Sequence, residues 1–381
     1  MKVPLAVTEP SEERPSKGGS TAGFGPRALG PISAAVCNYN GEDYLPECLD
    51  ALLAQEEALD EILVVDNGSG DGSLKLLSER YPQVRVVALG RNGGPGAARN
   101  AGMRAAKNRW VLAVDNDAVL AADVVGRLRR ALEEDRLACL AQTRSVVYHE
   151  PERVHYDGAE FHYVGLLSLR NFFKQRVEAE GVGVLEANGF ISICGLMDRD
   201  KVLELGGYDE GLFILFEDFD LALRLRIAGE RLLIDEDAIV RHKAGTPGIS
   251  FRAQDYPGQR AFFHSRNRWI LLTKAYSAST LLIALPGLLI YESAWTLFAA
   301  KAGHFWPHLK GKLAYIEHLP ETLLKRRRIQ RARRVKDREL LVGGPLTLSP
   351  QLVAKPLARR MAGWLDGLLS GYWRRASRWL P

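Results

Sequence analysis

Trp110-Val-Leu-Ala-Val runs apolar straight into Asp115-Asn-Asp117. A run of this kind forms a buried strand, and it delivers two carboxylates, one residue apart, to its exposed carboxyl end. In open α/β sheets ligands collect outside that end of the strands. A pair of hard carboxylates there suits Mg2+ or Mn2+ carrying phosphate oxygens. Asp-Asn-Asp is also ordinary turn chemistry after a strand, so the metal reading has to be supported from elsewhere in the chain.

The elements around this stretch are legible from their patterns. Ile32 to Cys37 reads as a strand ending at Asn38-Tyr-Asn40-Gly41, and Leu45, Cys48, Leu49, Leu52 and Leu53 then follow helical spacing. Ile62 to Val65 is a strand closing on Asp66, with a helix to Tyr81; Val84 to Ala88 is a third strand and Gly96 to Ala106 a helix. This alternation predicts a doubly wound, mostly parallel α/β sheet flanked by helices. Its crossovers are right-handed, so Asn38, Asp66, Asn92 and Asp115 belong on one rim. A helix over Ala122 to Leu132 and a strand over Leu137 to Gln142 continue the pattern. Ser145 to Ala187 has weak periodicity and is expected to be an irregular insertion along the site. A strand at Ile191 to Met197 follows, then a helix after Glu217-Asp-Phe-Asp220, and strands at Arg231 to Ile234 and Ala238 to Val240 leading to His242.

The chain has 381 residues, 46% hydrophobic and 25% charged, which is ordinary globular composition with room for a substantial core. Cys37, Cys48, Cys139 and Cys194 lie far apart with no C-x-x-C spacing, which indicates neither a zinc site nor a disulfide framework and fits a reducing cytosol. The three expected regions are a disordered tail over 1–30, a catalytic domain over 31–250 and a helical extension over 251–381. In that extension Leu281 to Ala300 is nearly all apolar but broken by Pro286 and Glu292. A carboxylate at mid-membrane is costly, so a helix lying in the interface is favoured over a span. Lys325 to Arg338 holds nine Lys or Arg against one Asp, and the C-terminus alternates Trp364, Leu368, Trp373 and Trp379 with Arg359, Arg360, Arg374 and Arg375. An anionic membrane surface is the expected partner of this part. Nucleic acid is not, because no nucleic-acid motif accompanies the charge.

Val36-Cys-Asn-Tyr-Asn-Gly41, Val65-Asp-Asn-Gly-Ser-Gly-Asp-Gly-Ser73, Arg91-Asn-Gly-Gly-Pro-Gly-Ala-Ala-Arg-Asn100, Asp115-Asn-Asp117 and Glu217-Asp-Phe-Asp220 occur in this order. Set and spacing resemble the family 2 glycosyltransferases over about Pro31 to Lys243, and more weakly their rhamnosyltransferase-like branch. The resemblance implies a GT-A fold and inverting transfer of a sugar from a UDP- or dTDP-sugar, such as dTDP-rhamnose, to a hydroxyl of a lipid-linked or polysaccharide acceptor in cell-envelope glycan synthesis. Together with the amphipathic basic C-terminus, these motifs lead to an expected place in the cytoplasm, peripheral on the inner face of the plasma membrane. The resemblance assigns Asp66 to the nucleotide base, Asp115 to ribose and metal, Asp117 to the cation, Asp218 to the general base, Glu217 to the acceptor and His242 to a third metal position. Asn38, Asn40, Asn92 and Arg99 complete the donor side.

The motifs also have chemistry of their own. Asp66 at a strand end can accept hydrogen bonds from a pyrimidine edge or ribose, or cap a helix. The Asn92-to-Arg99 segment enters a helix whose amide end can face an anion. It nearly mimics a dinucleotide fingerprint but has Arg99 where the third Gly should be. Two other readings stand beside the transferase: a non-catalytic sugar-nucleotide-binding protein of the same fold, and a nucleotidyltransferase, which would want a Gly-rich basic loop after the first strand where Asn38-Tyr-Asn-Gly41 stands. A processive synthase is disfavoured for want of a set of spanning helices.

Overall fold

The structure, a computed structural model, describes residues 27–179, 183–243 and 256–381. The first half alternates as the pattern requires: β1 (Ile32–Asn38), α1 (Leu45–Leu53), β2 (Glu61–Asp66), α2 (Ser73–Arg80), β3 (Arg85–Ala88), α3 (Pro95–Ala105), β4 (Trp110–Asp115), β5 (Ala118–Leu120), α4 (Val124–Glu134) and β6 (Ala138–Val147). The chain continues through β7 (Glu150–Tyr156), β8 (Ala159–His162), β9 (Leu166–Leu169), β10 (Val184–Ala187), β11 (Cys194–Asp198), α5 (Arg199–Glu204), α6 (Glu217–Ile227) and β12 (Arg231–His242). The rest is mostly helical: α7 (Gly258–Ala275), α8 (Ala278–Lys301), α9 (Phe305–Glu317), α10 (Leu319–Ala332), α11 (Asp337–Leu340), the short strand β13 (Leu341–Val342) and α12 (Pro356–Ala376).

The main sheet has the order β10-β12-β6-β11-β4-β1-β2-β3. β1 pairs in parallel with β2 and β4, β2 with β3, and β6 with β12, while β11 runs antiparallel to both β4 and β6. The reversal has a simple cause. After β6 the chain turns back in β7, antiparallel to β6 and with no crossover helix, and β10 and β11 likewise enter the sheet heading down. The core is apolar on both faces of the sheet, as a buried parallel sheet demands. Ile32, Val36, Val64, Leu112 and Val114 face α1 and α4, while Ala35, Leu63, Val65 and Val111 face α3.

Three expectations need correction. The expected tail, 1–30, mostly lies outside the described residues, but Arg27 donates to the carbonyls of Leu132 (2.9 Å) and Ala138 (2.8 Å), and Leu29 is buried. The packed chain therefore starts by Arg27. The stretch from Ser145 to Ala187 is not irregular: it completes β6 and builds β7 to β10. Its strands are too short to show alternation, and β8 and β9 form a second sheet with β13, which pairs Leu341 with Phe161 and Val342 with His162. Lastly, Arg231 to Val240 is one strand, whose register shift between Asp235 and Ile239 interrupts the expected alternation.

The helical extension shares a core with the sheet domain. Tyr163 stacks on Trp373 of α12 at 4.3 Å, and Phe161, Phe219, Leu271, Tyr276, Leu288 and Trp373 belong to one cluster. α8 is long and apolar enough to cross a membrane, the one such helix among the described residues. Its Glu292 is turned into the protein, onto Arg268 (2.7 Å), Lys312 (2.5 Å) and the Trp269 indole N–H (2.9 Å). Part of the basic run is structural as well, whereas Arg327, Arg328, Arg331, Arg334, Lys336 and Arg338 are exposed. Lys325 pairs with Asp209 (2.6 Å), Arg326 donates to the carbonyls of Thr273 and Tyr276, and Arg333 pairs with Asp337 (2.6 Å).

Candidate active site

The carboxyl ends of β1, β2 and β4 carry Asn38, Asp66 and Asp115 to one rim, at register positions that pair Asn38 with Asp66 and Cys37 with Asp115. Asp66 is buried. Its Oδ1 accepts from Asn38 Nδ2 (3.0 Å) and its Oδ2 from the Ser69 amide (3.1 Å), which leaves one lone pair on each oxygen. Asn38 Oδ1 in turn accepts from Asn116 Nδ2 (2.7 Å), so the middle residue of the carboxylate triplet locks the β1 end to the β4 turn. Asn40 is exposed, at φ 49°, and accepts from the Gly70 amide (2.8 Å). Asn92, also exposed, accepts from Asn67 Nδ2 (3.1 Å) and the Gly94 amide (2.9 Å), closing the turn into α3. Gly94 has φ +86°, and a Cβ there would lie 2.1 Å from the Phe213 carbonyl oxygen. Only glycine fits.

Asp115, Asp117 and His242 converge. β12 pairs with β5 so that His242 opposes Ala118, next to Asp117. One donor atom from each of the three lies within 4.8 Å of the others. His242 Nε2 stands 3.2 Å from Asp117 Oδ2. Two ligands about 2.1 Å from one ion and at right angles lie about 3.0 Å apart, so this spacing fits a shared octahedral cation. Two carboxylates and one imidazole are a donor set for a divalent cation. The His242 ring is set by stacking on His155 at 5.1 Å. Burial pushes the Asp115 carboxyl up to about 6, opposed by Arg99 and reinforced by Asp117.

Arg99 joins this trio to the start of α6. Its buried guanidinium lies 2.6 Å from Asp115 Oδ1, 3.4 Å from Asp218 Oδ1 and 3.8 Å from Glu217 Oε1. Burial works against its charge, but Asp115 and Asp218 hold it well above the usual arginine range. Arg99 is thus held by acidic side chains inside the protein, between the donor side expected of it and the start of α6. Asp218 Oδ1 also accepts from Ser192 Oγ (2.5 Å), which lies 2.6 Å from the Tyr208 hydroxyl. Neither Ser192 nor Tyr208 stood out in the sequence. Ser192 sits at the rim because β11 enters from there, and the only sequence signal was a polar residue inside an apolar strand.

Burial, helped by Asp218, raises Glu217 to about 8, and its Oε2 is buried with no hydrogen-bond partner among the described residues. Glu217 therefore carries a proton at neutral pH. Between about pH 5 and 8 the folded chain keeps that proton and the unfolded chain releases it, so stability falls as pH rises, by up to about 1.4 kcal/mol per pH unit, until both states are ionised. Glu217→Gln is expected to remove this slope in urea unfolding at pH 5, 6.5 and 8; parallel slopes for the two proteins would refute it. Deeper in α6, Asp220 and Arg224 pair at 2.9 Å as their spacing predicts, and Lys274 of α7 lies 2.8 Å from Asp220. Removing one partner of such a buried set typically costs about 3–5 kcal/mol, so its role is to hold α6.

Carboxylates grouped on the rim of a mostly parallel sheet flanked by helices are an arrangement of the GT-A type of fold. Residues 33–201 match the family model Glycosyl transferase family 2. The succinoglycan biosynthesis protein ExoO of Rhizobium meliloti is 41% identical over 68 residues, 18% of this chain and only 20% of that protein. The N-acetylglucosaminyl-diphospho-decaprenol L-rhamnosyltransferase of Mycobacterium tuberculosis is 26% identical over 267 residues, 65% of this chain and 85% of that protein. In fold the chain is similar to GalNAc-T7, crystallised with UDP, GalNAc and Mn2+, with a TM-score of 0.55 and 16% identity over 76% of this chain and 57% of that one.

Proposed function

We propose that the protein is an inverting glycosyltransferase that moves a sugar from a UDP- or dTDP-sugar, dTDP-rhamnose being the first candidate, to a hydroxyl of a lipid-linked or polysaccharide acceptor in cell-envelope glycan synthesis. The observation that carries this reading is Arg99, which ties Asp115 of the cation trio to Asp218 and Glu217 within one cleft. A divalent cation held by Asp115, Asp117 and His242 would neutralise the departing diphosphate. The donor base lies at the β1–β2 end, against Asp66, Asn38 and Asn40, with Asn92 shaping the neighbouring turn. Asp218 takes the proton from the acceptor hydroxyl as that oxygen attacks the anomeric carbon opposite the diphosphate. Arg99 and Ser192 both bind its Oδ1, which turns Oδ2 to the incoming hydroxyl. Glu217, protonated, donates a hydrogen bond to an acceptor oxygen. The relatives support the sugar and acceptor classes: one is a rhamnosyltransferase whose name carries a decaprenol diphosphate. The experiment is to supply UDP-, dTDP- and GDP-sugars with Mn2+ and a polyprenyl-diphosphate sugar and to follow nucleoside diphosphate release. Release from none of them would end the reading.

The extension would hold the enzyme on the cytoplasmic side of a membrane, lying on the bilayer. Leu282, Leu285, Leu289 and Leu297 form an exposed row on α8, and Leu357, Met361, Trp364 and Leu368 form one on α12, flanked by exposed Arg359, Arg360, Arg374 and Arg375. Such rows seek an anionic interface. Sedimentation with phosphatidylglycerol vesicles is expected to carry the protein down, and Trp364→Glu to reduce the bound fraction severalfold. Equal binding to neutral vesicles in 0.5 M salt would contradict the charge component.

A further inference from the structure

The residues leading into α6 take a conformation that side chains bearing a Cβ adopt only at a penalty. Phe213, Leu215 and Phe216 have φ of 62°, 68° and 74°. Directly after them come Glu217 and Asp218, so the loop's shape decides where these two carboxyls stand. Something must hold it: the Phe216 carbonyl accepts from the Asp220 amide (2.8 Å) and so begins α6, but the carbonyls of Ile214 and Leu215 before it accept from a side chain instead.

The holder comes from α7, about fifty residues on. Asn267 is fully buried, and its Nδ2 donates to the carbonyls of Leu212 (2.9 Å), Ile214 (2.9 Å) and Leu215 (2.8 Å). Two amide hydrogens are thus shared among three loop carbonyls. Its Oδ1 accepts from Arg266 Nε (2.8 Å), and Arg266 Nη2 donates to the carbonyls of Gly211 (3.0 Å) and Leu212 (2.7 Å). The Phe213 ring stacks on Phe263 of the same helix at 5.6 Å, and on the other side of the loop the Phe213 carbonyl rests against Gly94. No part of Asn267 bonds to Glu217, Asp218 or Arg99. It acts through the backbone alone.

We propose that Asn267 is a positioning residue for sugar transfer: from the helical extension it fixes the left-handed loop 213–216 and so sets the Glu217 and Asp218 carboxyls against the acceptor side of the cleft. This rests on the transfer reading above. It makes two claims that a merely structural asparagine would not meet: the disturbance stays local to the loop, and it appears in kcat and not in donor binding.

The test compares Asn267→Leu, similar in size and without donors, with Thr273→Val on the same helix. Thr273 Oγ1 lies 2.8 Å from the Tyr315 hydroxyl, so the second variant loosens α7 from α9 without touching the loop. In the full-length protein, amide hydrogen exchange over residues 211–220 is expected to quicken at least about tenfold in Asn267→Leu and to stay unchanged in Thr273→Val. In the same pair kcat for transfer is expected to fall about 100-fold only in Asn267→Leu, the size of effect a misplacement near 1 Å produces, while UDP affinity by calorimetry shifts less than about threefold. Should the leucine not fold, Asn267→Ala is read in the same way. Unchanged exchange at 211–220, or equal loss of kcat in the two variants, overturns the proposal. A wild-type protein that turns over no nucleotide sugar removes the transfer reading instead, since the exchange measurement does not depend on turnover.

Discussion

Asp218→Asn is expected to lower the rate of sugar transfer by about 10²- to 10⁴-fold, the range a positioned general base contributes. Asparagine keeps the shape and can still accept from Ser192 and face Arg99, so the loop and α6 should stay where they are. What goes is the ability to take a proton from the acceptor hydroxyl. The loss should therefore fall on kcat, with donor affinity within about threefold of the parent, and it should shrink for an acceptor whose hydroxyl is more acidic. Full transfer by Asp218→Asn would sink the assignment. Ser192→Ala supplies a graded companion: it removes one bond to Oδ1 and leaves the base in place, and a loss of about tenfold is expected from one hydrogen bond to a charged group.

Asp117→Ala is expected to cost about 10²- to 10³-fold in transfer, the several kcal/mol that charge neutralisation at a leaving group is worth. Asp115 and His242 would remain, two donors where three had converged. Chelation of the parent protein should produce a loss of similar size, and added Mn2+ should restore the parent but not the variant. Calorimetric titration of Mn2+ gives a readout apart from turnover: binding should weaken at least about 100-fold in Asp117→Ala. A parent enzyme that keeps its rate after exhaustive chelation would remove the cation from the reaction.

The strands and the residues at their ends were legible because each of β1, β2 and β4 is an apolar run with an abrupt polar stop, and the stop is where a parallel sheet gathers its chemistry. Asp66, Asp115 and Asp117 follow from that logic. Glu217 and Asp218 came from the resemblance, and the structure brings them to Arg99 as a shared cleft requires. His242 was harder, since its strand changes register midway. Ser192, Tyr208 and Asn267 were not legible, because each acts through a partner far along the chain, as Asn100 does in bonding the Tyr208 amide and carbonyl. Such contacts leave no local period. The second sheet was hidden for the same reason: β8 finds β13 some 180 positions later.

That pairing bears on how relatives could trade parts. The tail after residue 256 inserts a strand beside β8 and stacks Trp373 on Tyr163, so a chimaera that imports a foreign C-terminal third onto this head would meet a hairpin shaped for another guest. Grafts should succeed only when residues 159–169 travel together with the tail, and the two segments should drift in sequence as a matched set.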